Sequence, residues 1–273
     1  MTFGCCVNLL PRREGPAGSG YAREIKEVGY DYIELPLHEV AQIDSRELEE
    51  LADLLKELDL PCRGCNAFLP PSIQIVGRDV TSPEEVDRYL VRAFQRMERL
   101  GASIAGLGSP KSRTCPEDFP PERGLEQLIR FLRRAGQIAQ DYGVVVALEH
   151  NNRSETNLIN RYGEGLAVIR AVDRPNVNML CDYFHLRWEG ESPQVLLEGG
   201  LELLAHTHIA RLQGRGYFTS LEGELPMVQD YAEVLRALGY TGGVSVEAQT
   251  EGRETWRREA EESLKQLRRV FCS

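Results

Sequence analysis

The chain has 273 residues, 42 of them Asp or Glu against 32 Lys or Arg, which gives a net charge of −10 with neutral histidines. At 42% hydrophobic and 27% charged it has the balance of a folded globular protein, long enough to bury a core without disulfide or metal staples. An acidic surface repels phosphate backbones, and no run approaches the roughly 18 apolar residues of a spanning helix, so nucleic-acid and membrane partners are not expected.

The opening MTFGCCVNLLPRREG carries no basic leader ahead of an apolar stretch, which reads as a cytoplasmic protein. Seven cysteines, an odd number, suit reduced thiols. The single CxxC, Cys62 to Cys65, lacks the second pair that a zinc cage needs and reads as buried or strand-end thiols.

In chain order, an apolar run at 3–7 reads as a first strand and gives way to a Pro- and Gly-rich loop at 10–20. After Gly29 comes a strand at 32–35. The stretch SRELEELADLLKEL at 45–58 then repeats apolar residues every three to four positions, as a helix face requires, with Ser45 suited to an N-cap. A third strand at 62–66 leads through loop 69–77 to a helix at 82–101, with Ser82 as cap, Pro83 in the first turn and Gly101 past the end. The strand at 103–107, the loop at 108–124 and the helix at 121–143, ended by Gly143, follow. Four more strands, at 144–149, 177–182, 205–209 and 244–247, complete the series, the last after Gly239.

Eight strands alternating with helices in this length predict one α/β domain over residues 1–273, a closed (β/α)8 TIM barrel with its chemistry at the C-terminal ends of the strands. A doubly wound open sheet is the competing architecture, but GxGxxG is absent. Each of the last four strands ends in a hard-metal ligand: Glu149 in VVVALE, Asp182 in VNMLCD, His208 in AHTHIA and Glu247 in GVSVE. A carboxylate at the end of an apolar run needs a partner, a cation or water. Three carboxylates and one imidazole suit Mn2+, Co2+ or Mg2+ with positions left open for substrate oxygens, whereas a structural zinc site would want thiolates.

The ordered set CNAFLP (65–70), ALEHNNRSETNLIN (147–160), the DxxH of Asp182 and His185, HIARLQGR (208–215) and LRALGYTGGVSVE (235–247) resembles the xylose isomerase-like sugar isomerases and epimerases, including ketose 3-epimerases and hydroxypyruvate isomerases. The resemblance runs from residue 62 onward. It implies a xylose isomerase-like barrel with a divalent ion, Mn2+ first and Co2+, Mg2+ or Zn2+ as alternatives, held by Glu149, Asp182, His208 and Glu247. It also implies that Glu149 and Glu247 move protons at a carbon beside a carbonyl, through an enediolate, and that Glu155, His185 and Arg215 contact the carbohydrate substrate. Relatives of this kind are often dimers or tetramers, so a homo-oligomer is a further expectation.

Competing readings stay open for several of these residues. Glu155 also reads as a solvated rim acid, His185 as a packed histidine and Arg215 as a mobile surface arginine. His206 faces the same way as His208 and competes with it as a ligand, His150 is expected to face away from Glu149, and His38 lies at a mouth position. Two departures from the ketose epimerases stand out, HNN at 150–152 in place of PLN and Arg211 at a position more often acidic. With Arg215, Lys111 and Arg113, Arg211 favours an anionic sugar derivative as substrate. A dehydratase of a keto-inositol, a repair-endonuclease-like phosphodiesterase and a non-catalytic metal- or sugar-binding barrel are the alternative functions. Five histidines and an acidic surface argue against the second.

Overall fold

The computed structural model describes residues 1–272. Its strands are β1 (Thr2–Cys6), β2 (Tyr32–Pro36), β3 (Cys62–Asn66), β4 (Ile104–Leu107), β5 (Val145–Glu149), β6 (Val177–Asp182), β7 (Leu204–Ile209) and β8 (Gly243–Val246). They pair in sequence order, all parallel, and β1 closes onto β8 through pairs such as Gly4 with Ser245, so the expected (β/α)8 barrel is the architecture observed. Among the described residues no helix is long and apolar enough to cross a membrane, and no cysteine is in a disulfide. Cys62 and Cys65 are buried thiols on β3.

The helices follow their apolar periodicity. In Ser45–Glu57, Leu48, Leu51 and Leu55 are buried; in Pro83–Leu100, Val86, Leu90, Phe94 and Met97 are. The first of these starts one residue earlier than its sequence suggests. Asp44, not Ser45, is the N-cap, because its carboxylate accepts from Glu47 N while the Glu47 side chain accepts from Asp44 N, a reciprocal capping box. Ser82 caps the second, and Gly101 ends it with φ 72°.

Inside the barrel, side chains alternate in and out along each strand and stack in layers. Tyr32 fills the lower part, where Gly4 and Gly243 make room: a Cβ on either would lie 2.0 Å and 2.2 Å from the Tyr32 ring and hydroxyl. The Tyr32 hydroxyl is 2.7 Å from Ser245 Oγ. Above it one side of the interior is apolar, formed by Ile104, Ala147 and Leu180, and the other is polar, formed by Glu34, His206 and Ser245. The register pairs Leu180 with His206 and Asp182 with His208, which lifts the second pair together to the carboxyl end.

Candidate active site

At that end, Glu149 of β5, Asp182 of β6, His208 of β7 and Glu247, one residue beyond β8, come together, each offering a ligand atom within 4.8 Å of the others. All four are buried. Asp182 anchors one carboxylate oxygen by capping the helix Tyr183–Trp188, where Oδ1 accepts from Phe184 N at 2.8 Å, and turns Oδ2 to the site. Glu247 is steadied from the opposite wall, its Oε1 accepting from Asn8 Nδ2 at 2.8 Å and Asn66 Nδ2 at 3.1 Å.

Two buried atoms are left over. Glu149 Oε1 and His208 Nδ1 have no hydrogen-bond partner and lie 3.7 Å apart, with His208 Nδ1 also 3.4 Å from Glu247 Oε2. Unsatisfied buried polar atoms are costly, and two converging on one point are what a shared cation would satisfy. The spacing suits ligands each about 2.1 Å from a common ion. The residues present therefore fit a divalent metal.

The charges are uneven. Burial would raise the Glu247 carboxyl, but Arg215 and His208 bring it down to about 2. Burial, reinforced by Glu149 and Glu247, raises Asp182 to about 7 despite Arg215. Burial works against a proton on His208, yet Cys6, Glu34 and Glu247 together hold its pKa well above the ordinary imidazole value.

His185 is buried beside the cluster, Nε2 3.6 Å from Asp182 Oδ2 and 3.9 Å from Glu149 Oε1. Its Nδ1 accepts from the backbone N–H of Asn152 at 3.2 Å, and Asn151 Nδ2 lies 3.0 Å from Nε2. Burial, with Arg215 adding to it, pushes its pKa well below the ordinary value and keeps it neutral. The HNN stretch builds this arrangement. Asn152 holds His185 and, through Nδ2, Glu155 Oε1 at 3.0 Å, while Asn151 lies between His185 and Arg113. His150 does turn away, edge-on to Tyr162 at 5.7 Å.

Arg215 is no mobile surface arginine. It sits in a turn with left-handed backbone, φ 47°, and its guanidinium reaches Asp182 Oδ2 at 2.9 Å, Glu155 Oε1 at 3.4 Å and Glu247, with Phe184 4.7 Å below its plane. Strained backbone of this kind is held only where its surroundings over-determine it. Glu155 is half-buried, and burial lifts its carboxyl above the usual range even with Arg215 alongside. Glu149, Glu155, Arg215 and Glu247 line a cavity of about 380 Å3 with His38, Ser109 and Lys111 at its rim.

The other basic residues are elsewhere. Arg113 is fully buried behind the site and donates to the carbonyls of Gly108, Leu158 and Glu149 and to Asn151, while Arg211 lines a separate cavity with Arg258 and Glu262. Neither forms the cationic mouth expected from sequence. His206 lies one layer below His208, bonded to Glu34 at 2.5 Å. Glu34, Cys6, Asn8 and Asn66 were not singled out in the sequence; the one available signal was Glu34, an acid inside the apolar strand YIELP.

A family model of the xylose isomerase-like TIM barrel matches residues 22–270, and the chain belongs to that family. Among named relatives, an L-ribulose 3-epimerase of Methylomonas sp. strain DH-1 is 29% identical over 223 residues, covering 81% of this chain and 74% of that one. A D-psicose 3-epimerase of Ruminiclostridium cellulolyticum is 31% identical over 247 residues, covering 83% and 76%. The solved structure of a D-psicose 3-epimerase in the presence of D-fructose shares the fold with a TM-score of 0.85 over 100% of both chains, at 19% identity.

Proposed function

We propose that this chain is a divalent-metal-dependent epimerase or isomerase that removes a proton from the carbon beside the carbonyl of a small keto sugar. The observation that carries the reading is the pair of orphaned buried atoms, Glu149 Oε1 and His208 Nδ1, facing each other at 3.7 Å beside a cavity that Glu149 and Glu247 line. Kinship with ketose 3-epimerases supports the substrate class. Held by Glu149, Asp182, His208 and Glu247, a divalent ion supplies the polarisation of the carbonyl that acidifies its neighbouring C–H bond. An oxygen-rich set with one nitrogen favours Mn2+ over Co2+, Mg2+ or Zn2+.

The rest is work for the side chains. Glu149 and Glu247 rise from different walls, so one takes the proton and the other returns it to the opposite face of the planar enediolate, inverting the centre. Return to the neighbouring carbon would give aldose–ketose isomerisation instead. The neutral His185, beside Glu149 and Asp182, helps to seat the carbonyl end of the substrate, and Arg215 and Glu155 hold hydroxyls at the wall. With Glu149, Glu155 and Glu247 facing Arg215 and Lys111, the lining suits a neutral polyol better than an anion, the reverse of the expectation from sequence.

The experiment is incubation of the Mn2+-loaded protein with D-psicose, D-fructose and L-ribulose in D2O, followed by product analysis by NMR. A 3-epimer carrying deuterium at the inverted carbon is expected. A dehydrated product would move the assignment to a lyase, and no exchange on any keto sugar with metal bound would remove the reading.

A further inference from the structure

Beneath the four ligand side chains lies one more carboxylate. Glu34 is buried in the barrel interior, its Oε1 held by His206 Nε2 at 2.5 Å and by the Ser245 hydroxyl, its Oε2 3.2 Å from His208 Nε2. Ser245 is held in turn by the Tyr32 hydroxyl at 2.7 Å. Gly64 packs beside it: a Cβ there would make ordinary contact with Glu34 Cδ at 3.5 Å and press on the Ile104 carbonyl at 3.1 Å. Pinned at one oxygen, Glu34 has only the other to offer His208.

We propose that Glu34 is the positioning residue of the metal site: by taking the Nε2–H of His208 it selects the ring tautomer and presents Nδ1 as the ligand. The inference rests on the metal reading above and deepens it. An imidazole with its distal N–H bonded to a carboxylate is a better oriented and more basic ligand, and loss of such a support costs metal affinity by tenfold to a hundredfold. Here the two ring nitrogens have divided partners. Nε2 faces Glu34, with Cys6 Sγ 3.9 Å away, and Nδ1 faces Glu149 and Glu247 with no hydrogen bond of its own. A second arrangement uses the same atoms, because Cys6, Glu34 and His208 are themselves close enough to surround a cation. That arrangement would make Nε2 a ligand and leave no N–H for Glu34, so the two are exclusive.

Three measurements decide. Titration of the unmutated metal-free protein with Mn2+ should give one equivalent per chain; a second equivalent that disappears in Cys6→Ser overturns the proposal, and no binding at all overturns it together with the metal reading. Histidine ring-nitrogen NMR of the Zn2+-loaded unmutated protein should show His208 protonated at Nε2 and shifted by metal at Nδ1; the reverse pattern overturns the proposal while leaving the metal reading intact. Glu34→Gln should weaken Mn2+ binding tenfold or more with unchanged far-ultraviolet circular dichroism, and Glu34→Asp should recover part of the loss. Affinity within twofold of the parent in Glu34→Gln overturns the proposal, and should that variant not fold, the NMR pattern decides alone.

Discussion

Arg215 Nη2 lies 2.9 Å from Asp182 Oδ2 and contacts Glu247 as well, so one guanidinium bridges two of the carboxylates assigned to the metal. Positive charge is thus supplied to the cluster by the chain itself. Removing it should expose the repulsion it suppresses. Arg215→Ala is expected to destabilise the metal-free protein by about 3 kcal/mol or more, the cost of leaving buried charges unpaired. Mn2+ should raise its melting temperature by more than it raises the parent's. Thermal melts with and without metal check this; equal shifts in both proteins contradict it.

Glu149→Gln and Glu247→Gln should each lower the exchange of substrate C–H for solvent deuterium by at least about 100-fold, the usual worth of a positioned acid–base group. Folding should survive both changes. Retention of exchange in either variant would reassign the proton to another group.

Gly108 faces Glu149 so closely that a Cβ there would sit 2.2 Å from Glu149 Oε2. The atom it meets is the end of a flexible side chain, which can move. Gly108→Ala is therefore expected to change unfolding free energy by less than about 1 kcal/mol while displacing a ligand oxygen. Mn2+ affinity measured by calorimetry should fall several-fold, and an unchanged value would show that Glu149 has slack.

Arg113 is a different case, since burial lowers its pKa to about 10 and its donors are spent on Gly108, Glu149, Asn151 and Leu158. Arg113→Met should strand several buried acceptors at once, costing about 3 kcal/mol or more in urea unfolding. A loss below about 1 kcal/mol would mean that water replaces the guanidinium.

The barrel was legible because its strands advertise themselves as short apolar runs between capped amphipathic helices; the runs at 62–66 and 177–182 coincide with β3 and β6, and the others differ at their ends by one or two residues. Glu149, Asp182, His208 and Glu247 stood out by ending such runs. Glu34 and the two asparagines did not, because their partners lie far along the chain: Glu34 meets His206 across 172 residues and Asn8 meets Glu247 across 239. Local pattern marks where a side chain points but not what closure of the barrel brings opposite it. Arg113 was misread for a related reason. A basic loop residue is ordinarily solvated, and only tertiary packing turns this one inward to gather carbonyls.

Tyr32, wedged between Gly4 and Gly243, stoppers the barrel from below. The cavity above is in consequence shut off from the lower end of the barrel. Whatever enters from the strand ends meets packed side chains rather than a channel running through the barrel, so depth and not passage is what this geometry offers a ligand.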